Sequence, residues 1–411
     1  MDLWRKNLYI LWGTQFLAML GMNLVVPFLP FYIRELGVTD PKELAMWSGV
    51  AFSGTFFSAF IFTPFWGTLG DKYGRKAMVV RALFGLALSQ VFIGLAMNAW
   101  QVVIFRIVQG AISGFIASAL ALVATNTPRE RIGYALGLLQ SATAAGMVLG
   151  PFVGGVLADL IGFREIFFIT ATLCAVGGVV VVMNVKEQRK GDVATKVFTV
   201  RDNYRLMFTD RRLRIVALGL VIGQMSVLMI EPIFALFIEG FEADTEYIAT
   251  LAGGIFSIAG LFMVISAPWW GRRNDRIGYK KNMTLSLGVI AVAYACHGLV
   301  TSLVQLGILR AILGFFRGGV LPGLYSLTSL YAPPERRGGM MAIASSLTLF
   351  GNMLGPTLGG FVSGHFGIKA SFIANSLMLM GLSFVFWHFL DETPVKQSVE
   401  SIEFVESKSH E

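Results

Sequence analysis

The sequence predicts an all-α membrane protein: twelve transmembrane helices forming two six-helix bundles related by pseudo-two-fold symmetry. Three observations predict it. Of 411 residues, 55% are hydrophobic and only 14% charged, where a soluble domain carries about 25% charged. The apolar residues fall in runs of roughly 20–25, each long enough to cross a ~30 Å hydrocarbon core as a helix. The second half of the chain repeats landmarks of the first in the same order.

The runs place spans at about 8–33, 45–69, 77–97, 100–125, 133–159, 165–185, 213–238, 248–270, 282–302, 304–330, 340–363 and 368–390. The first run is long and no small-residue cleavage site follows it, so a cleavable signal peptide is not expected. With the N-terminus inside and the spans alternating, inner segments hold 26 of the 33 Lys and Arg and outer segments hold four, Arg34, Lys42, Arg164 and Lys369. That asymmetry predicts both termini in the cytoplasm of a multi-pass inner (cytoplasmic) membrane protein. The formal charge of +8 is shared among short loops, which argues against nucleic acid as a partner, since a nucleic-acid binder concentrates charge on one face. Trp4, Trp12, Trp47 and Trp100 lie near span ends as interfacial anchors.

Cys174 and Cys296 both fall inside apolar spans, and the four histidines lack ligand spacing, so neither a disulfide framework nor a metal is expected. No GxxxxGK[ST] run is present, so the chain has no ATPase of its own. Clustered His, Asp or Glu at a membrane face, which an enzyme would need, and a soluble sensor domain are both missing.

The longest polar interruption, from Lys186 to Arg214, divides the spans into two sets of six. It sets the predicted units: an N-terminal bundle 1–185, a cytoplasmic linker 186–212, a C-terminal bundle 213–390 and a tail 391–411. GTLGDKYGRK at Gly67 returns as GRRNDRIGYKK at Gly271, FRIVQG around Arg106 as LRAILG around Arg310, and GMVLGPFVGG at Gly146 as GNMLGPTLGG at Gly351. The offsets are 204, 204 and 205 residues. Register held over three landmarks means internal duplication. An even number of spans per half gives both halves one orientation, with substrate expected between them near mid-membrane.

Over residues 8–390 these motifs resemble the major facilitator superfamily, and within it the bacterial twelve-span drug:proton antiporters. Gly67, Leu69, Asp71, Gly74, Arg75 and Lys76 match the signature after span two, with Gly70 where Ala or Ser is usual. Gly146, Gly150, Pro151, Gly154 and Gly155 resemble the antiporter signature of span five, and Gly351, Gly355, Pro356, Gly359 and Gly360 repeat it. The resemblance implies a proton-coupled secondary transporter that exports amphipathic small molecules (multidrug efflux) by alternating access. Its partners would be a small-molecule substrate, protons and the lipid bilayer; the protein would act as a monomer without a cofactor. The alternative is a dedicated exporter of one metabolite, siderophore or lipid-like anion.

The resemblance also implies that Asp71 docks at the N-terminus of span eleven, near Gly338–Met340, when the inner gate is shut. A carboxylate there is favoured by ~0.3–1 kcal/mol when exposed, a weak latch; the plainer reading is a tight turn and topology anchor over residues 67–76. In the second copy only Asp275 and Gly278 remain clear of that motif. The glycines of spans five and eleven permit close helix packing. Pro151 and Pro356 remove backbone bonds, which fits either static packing or a hinge.

The intramembrane charges carry most information. Arg106, Gln109 and Gly110 match the superfamily's RxxqG motif; Arg310 and Gly314 are the repeat partners. Arg317 lies seven residues after Arg310 on the same helix stripe, and its equivalent is Ser113. Spans one, four, seven and ten line the central cavity in this family. They supply Gln15 and Asn23, Arg106 and Ser113, Gln224 and Glu231, and Arg310 and Arg317. Glu231 lies ~10 Å inside the outer end of span seven, and Arg310 and Arg317 lie ~10 and ~21 Å deep in span ten, at 1.5 Å per residue. Glu231 is thus in reach of either arginine. Burying a carboxylate at the helix centre costs ~2.5–3.5 kcal/mol and favours its protonated form, whereas a nearby Arg favours the ionised one. A group between those influences can load and release a proton; the other reading is a permanent ion pair that fixes packing. Family exporters often carry an acid in span one, where this chain has none before Glu35.

Overall fold

The computed structural model describes residues 2–128, 131–187, 200–241 and 247–391, with the side chains of Pro64, Thr68, Asp71 and Val200 outside the description. The described residues are helical, without a strand. Twelve long helices follow in order: α1 Leu3–Glu35, α2 Pro41–Tyr73, α3 Arg75–Gly94, α4 Ala99–Asn126, α5 Ile132–Ile161, α6 Phe163–Asn184, α7 Arg211–Glu239, α8 Ile248–Ile277, α9 Tyr279–His297, α10 Leu303–Tyr331, α11 Arg337–Phe366 and α12 Ile368–Phe389. Ten reach the length and apolarity of a membrane span. The others, α9 and α11, begin with Lys280, Lys281 and Asn282 or carry many Gly, Ser and Thr residues. A short helix, Val200–Thr209, precedes α7 and packs on α7 and α11.

The helices alternate between two ends. At the basic end, rich in Lys and Arg, Asn7 Nδ2 donates to Lys186 O at 2.7 Å and Arg212 pairs with Asp391 at 2.9 Å. At the far end, the Tyr32 hydroxyl donates to Ile93 O at 2.7 Å. The two halves are alike in detail. Single glycines turn the chain between α2 and α3, α5 and α6, α8 and α9, and α11 and α12: Gly74, Gly162, Gly278 and Gly367, with φ of 102°, 97°, 92° and 86°. Only glycine takes that conformation freely. The expected turn over residues 67–76 is therefore confined to one residue, because α2 stays helical through Tyr73 and α3 starts at Arg75. Glu187 closes this corner by accepting from the N–H groups of Arg75 at 2.7 Å and Lys76 at 3.0 Å.

Helices α4 and α10 start alike and are interrupted near equivalent points. Asn98 and Ser302 accept from the N–H of Gln101 and Gln305, whose side chains accept in return from Met97 and Thr301 N–H, so each start is closed reciprocally, like a capping box whose return bond falls one residue before the cap. Helix α4 breaks at Ser113–Gly114, where Gly114 is left-handed with φ of 108°, whereas α10 is interrupted at Gly318–Gly319 with both glycines right-handed. A break strands backbone carbonyls. Trp66 Nε1 answers Ala111 O and Trp270 Nε1 answers Phe315 O, each at 2.6 Å.

One apolar core crosses both bundles at the far end, uniting Phe28, Phe31 and Leu44 with Ile230, Phe234 and Ala249, and continues through the second bundle to Leu213, Met340 and Leu390 at the basic end. The basic end of the first bundle has a separate core around Leu11, Val79, Leu122 and Leu139.

Candidate transport site

The glycine-rich motif sorts into two faces. A Cβ on Gly146, Gly150 or Gly154 would strike α1 at Met19–Leu20, Asn23 or Leu24. A Cβ on Gly351, Gly355 or Gly359 would strike α7 at Val221, Met225 or Met229. Those six pack helices inside one bundle. The last glycine of each copy faces the other bundle: Gly155 abuts Ala249 O of α8, and Gly360 abuts Ala45 O of α2. Gly253 against Pro151 O and Gly49 against Pro356 O complete the two seams, α5–α8 and α2–α11. Pro151 and Pro356 lie within unbroken helices, so the carbonyls they offer to the seam are presented by continuous backbone.

Polar groups seal the same end. Arg34 of α1 and Glu239 of α7 form a two-pronged ion pair at 2.5 and 2.7 Å. Asp159 at the end of α5 accepts from the N–H of Ala249 at 3.1 Å and Thr250 at 2.7 Å, capping α8 from the other bundle. Nearer the middle, Ser53 donates to Met353 O at 2.7 Å and accepts from Thr357 N–H at 3.0 Å. At the basic end of the same helices, a Cβ on Gly67, Gly133, Gly137, Gly271 or Gly338 would meet no atom of the described residues within 4 Å.

Glu231 is half-buried on α7 and makes no hydrogen bond or ion pair within 4 Å among the described residues. Arg317 and Arg310 are the charges that act on it. Neither closes on it. Arg317 is half-buried, while Arg310 is 3% exposed and lies with its guanidinium carbon 3.2 Å from the centre of the Phe234 ring. Arg106 is 6% exposed, donates weakly to Gln109 Oε1 at 3.3 Å and lies 5.7 Å from the Phe52 ring. Both buried arginines keep Nε and Nη2 without a hydrogen-bond partner among the described residues. Such groups are costly to bury, which is why intramembrane cations generally mark a working site.

The other candidates divide. Gln224 faces α11, where a Cβ on Gly351 would meet it. Gln15 is wholly buried and donates to Thr143 Oγ1 at 2.6 Å and Leu139 O at 3.3 Å, so it joins α1 to α5. Asn23 donates to Met19 O one turn back at 2.7 Å. Ser113 contributes its carbonyl at the α4 break, which accepts from Arg81 Nη2 at 3.0 Å while Arg81 stacks 3.5 Å over Trp66. Asp275 is exposed near the Gly278 corner. The expected docking of Asp71 falls on a side chain outside the described residues.

Sequence reasoning missed Arg34, Glu239 and Asp159, because acids and bases at span ends look like ordinary interfacial charges. It also missed Trp66 and Trp270, although their spacing of 204 residues matches the repeat and was available.

Comparison with known proteins matches this architecture. The family model described as Major Facilitator Superfamily matches residues 11–272 and again 244–409. A multidrug resistance protein MdtG from Proteus mirabilis is 37% identical over 375 residues, 90% of this chain and 92% of the relative. MdtG of an Escherichia coli strain is 33% identical, covering 96% and 97%. Among solved structures, a bacterial homologue of the lysosomal transporter Spinster, inward-facing and occupied, superposes with a TM-score of 0.80 at 15% identity, covering 94% of this chain and 97% of that one. The nucleoside transporter NupG gives 0.78 at 15%, covering 94% and 98%. Fold, internal repeat and sequence agree: the chain belongs to the Major Facilitator Superfamily and is a relative of its MdtG multidrug resistance proteins.

Proposed function

We propose that the protein is a proton-coupled exporter of amphipathic small molecules, in which residues 1–185 and 213–390 rock against each other and Glu231 exchanges the proton. Similarity to the MdtG multidrug resistance proteins over 90% or more of the chain supports export of varied drugs. The observation that carries the proton role is Glu231 itself: a half-buried carboxylate without an ion-pair partner among the described residues, beside two buried or half-buried arginines. Its affinity for a proton follows how closely those arginines approach it. A change in their distance during rocking shifts the balance, so the proton is taken on one side and released on the other. Sealing of the far end supports an inward-facing state, with the basic end and both termini in the cytoplasm. Asp71 is the latch we assign to the opposite state, docking at the N-terminus of α11.

The test is reconstitution in liposomes with an imposed pH gradient and a panel of cationic, zwitterionic and anionic amphipaths. Gradient-driven accumulation in the native protein and its loss in Glu231→Gln are expected. Coupled transport unchanged by Glu231→Gln would leave that residue a packing role only.

A second reading rests on the charge surplus: three intramembrane arginines, Arg106, Arg310 and Arg317, outnumber one intramembrane acid. A dedicated exporter of one anionic metabolite, siderophore or lipid-like anion would show a narrow profile within the same panel and lose transport on Arg317→Gln.

A further inference from the structure

Arg310 has a carboxylate within electrostatic reach on the facing helix and does not take it. Its guanidinium lies instead on the Phe234 ring at 3.2 Å, with Phe256 of α8 at 5.2 Å. The two rings meet edge to face at 5.0 Å, so they form a fixed corner of α7 and α8. Phe234 stands three residues after Glu231, on the same face of α7 one turn toward the far end. The ring and the carboxylate are therefore neighbouring berths for one cation. Burial strengthens the ring berth, since a cation over an aromatic face gains most when water is excluded, and Arg310 is 3% exposed.

We infer that Phe234, backed by Phe256, is a positioning residue for proton coupling: it holds the Arg310 guanidinium off Glu231 and so keeps that carboxylate available to a proton. This rests on the reading of Glu231 as the proton site. The charged and titratable groups that bear on Arg310 are Tyr294 and His297 of α9, Arg317 of its own helix and Glu231 of α7. His297 is fully buried and ties Nδ1 to Ala293 O at 2.7 Å, and its ring lies 6.3 Å from that of Phe234, on the bundle interior. Arg317, half-buried, also acts on Glu231 and does so with or without the Phe234 ring, so it does not change what the ring's removal reads. Of these groups, only Glu231 supplies a carboxylate that competes with the ring for the guanidinium.

When the ring is removed, Arg310 falls to Glu231 and favours its ionised form, so more acid is needed to protonate it. The readout is labelling of Glu231 by dicyclohexylcarbodiimide, which adds only to a protonated carboxyl. Labelling is followed against pH in the purified full-length protein by peptide mass spectrometry, with Glu231→Gln as the blank. Phe234→Leu is expected to lower the midpoint by about one pH unit, about tenfold in proton affinity. Phe234→Tyr keeps a ring and is expected to keep the native midpoint. In an Arg310→Gln background, Phe234→Leu is expected to move nothing. Should Phe234→Leu fail to fold, Phe256→Leu gives a smaller shift of the same sign. A midpoint unmoved by loss of the ring, moved upward, or moved equally without Arg310 overturns the inference. Gradient-driven transport that survives Glu231→Gln would instead remove the coupling role, while the labelling midpoints still decide the Arg310–Phe234 contact.

Discussion

The same four helices, α2, α5, α8 and α11, behave oppositely at their two ends. At the far end their glycines touch the other bundle's backbone: Gly49, Gly155, Gly253 and Gly360 leave no room for a methyl group. At the basic end, a Cβ on Gly67, Gly133, Gly137, Gly271 or Gly338 would meet no atom of the described residues within 4 Å. Small residues at both ends are what a rocking seam requires, because each end has to close in turn. A glycine inside a helix is destabilising by roughly 0.5–1 kcal/mol relative to Ala. Glycines that pack on no described residue in this state therefore need a reason in another state, and the repeat supplies it: Gly67 and Gly271 occupy equivalent places in the two halves.

Alanine substitution at the two ends breaks or sharpens this contrast, and it carries the largest expected effect. In Gly155→Ala the new Cβ meets Ala249 O, backbone that cannot swing away. Overpacking of that kind costs about 1–3 kcal/mol, so the sealed state is expected to lose from about fivefold to more than a hundredfold against the open one. Spin labels at the exposed positions Leu160 and Tyr247, with Cys174 and Cys296 replaced, read the far-end distance directly. Gly338→Ala is expected to leave that distance distribution unchanged. Equal effects from the two substitutions would mean that the ends are not in opposite states.

Asp159→Ala comes next. Its carboxylate satisfies two N–H groups at the start of α8 and faces the positive end of the helix dipole. Losing a cap of this type costs about 1 kcal/mol, roughly fivefold in the sealed population. Asp159→Asn keeps an acceptor and should fall between native and Ala in the same spin-label measurement. No change in either variant would mean that the seam holds by backbone packing alone.

How much of this was legible in the sequence differs between helices and contacts. Run lengths and the clustered basic residues gave the helix count and alternation, because a bilayer leaves the backbone few other choices. The offset of 204–205 residues gave the repeat, which the structure carries down to the paired corners Gly74 and Gly278. The buried cations were legible for the same reason: Arg106 and Arg310 stand out in apolar runs. Their partners were not. Depth alone placed Arg310 opposite Glu231, and a carboxylate looks like the natural partner of a cation; the Phe234 ring that holds it is one of 34 phenylalanines. Gln15 likewise appeared as a cavity residue, yet its amide turns into α5, because periodicity gives the face of a residue but not which neighbour satisfies its amide. The polar contacts of the far-end seal join Arg34 to Glu239 and Asp159 to the start of α8 across bundles, from positions up to 205 residues apart. No local pattern encodes that.

The smallest effect is expected from the ion pair that looks most conspicuous. Arg34 and Glu239 form a two-pronged contact, but their side chains are 38% and 25% exposed. Water and salt compete with such a pair, and exposed pairs are worth about 0.2–1 kcal/mol; the forked geometry places this one toward the upper limit. A double-mutant cycle of Arg34→Gln and Glu239→Gln, read by the Leu160–Tyr247 distance, should give a coupling of at most about fivefold in the sealed population. It should shrink as salt rises, since screening acts within ~10 Å at 0.1 M. Arg34→Lys keeps the charge without the fork and should retain only part of the coupling. A coupling that exceeded the Asp159 effect and ignored salt would place the pair out of water, and the seal would then rest on charge more than on the glycine seams.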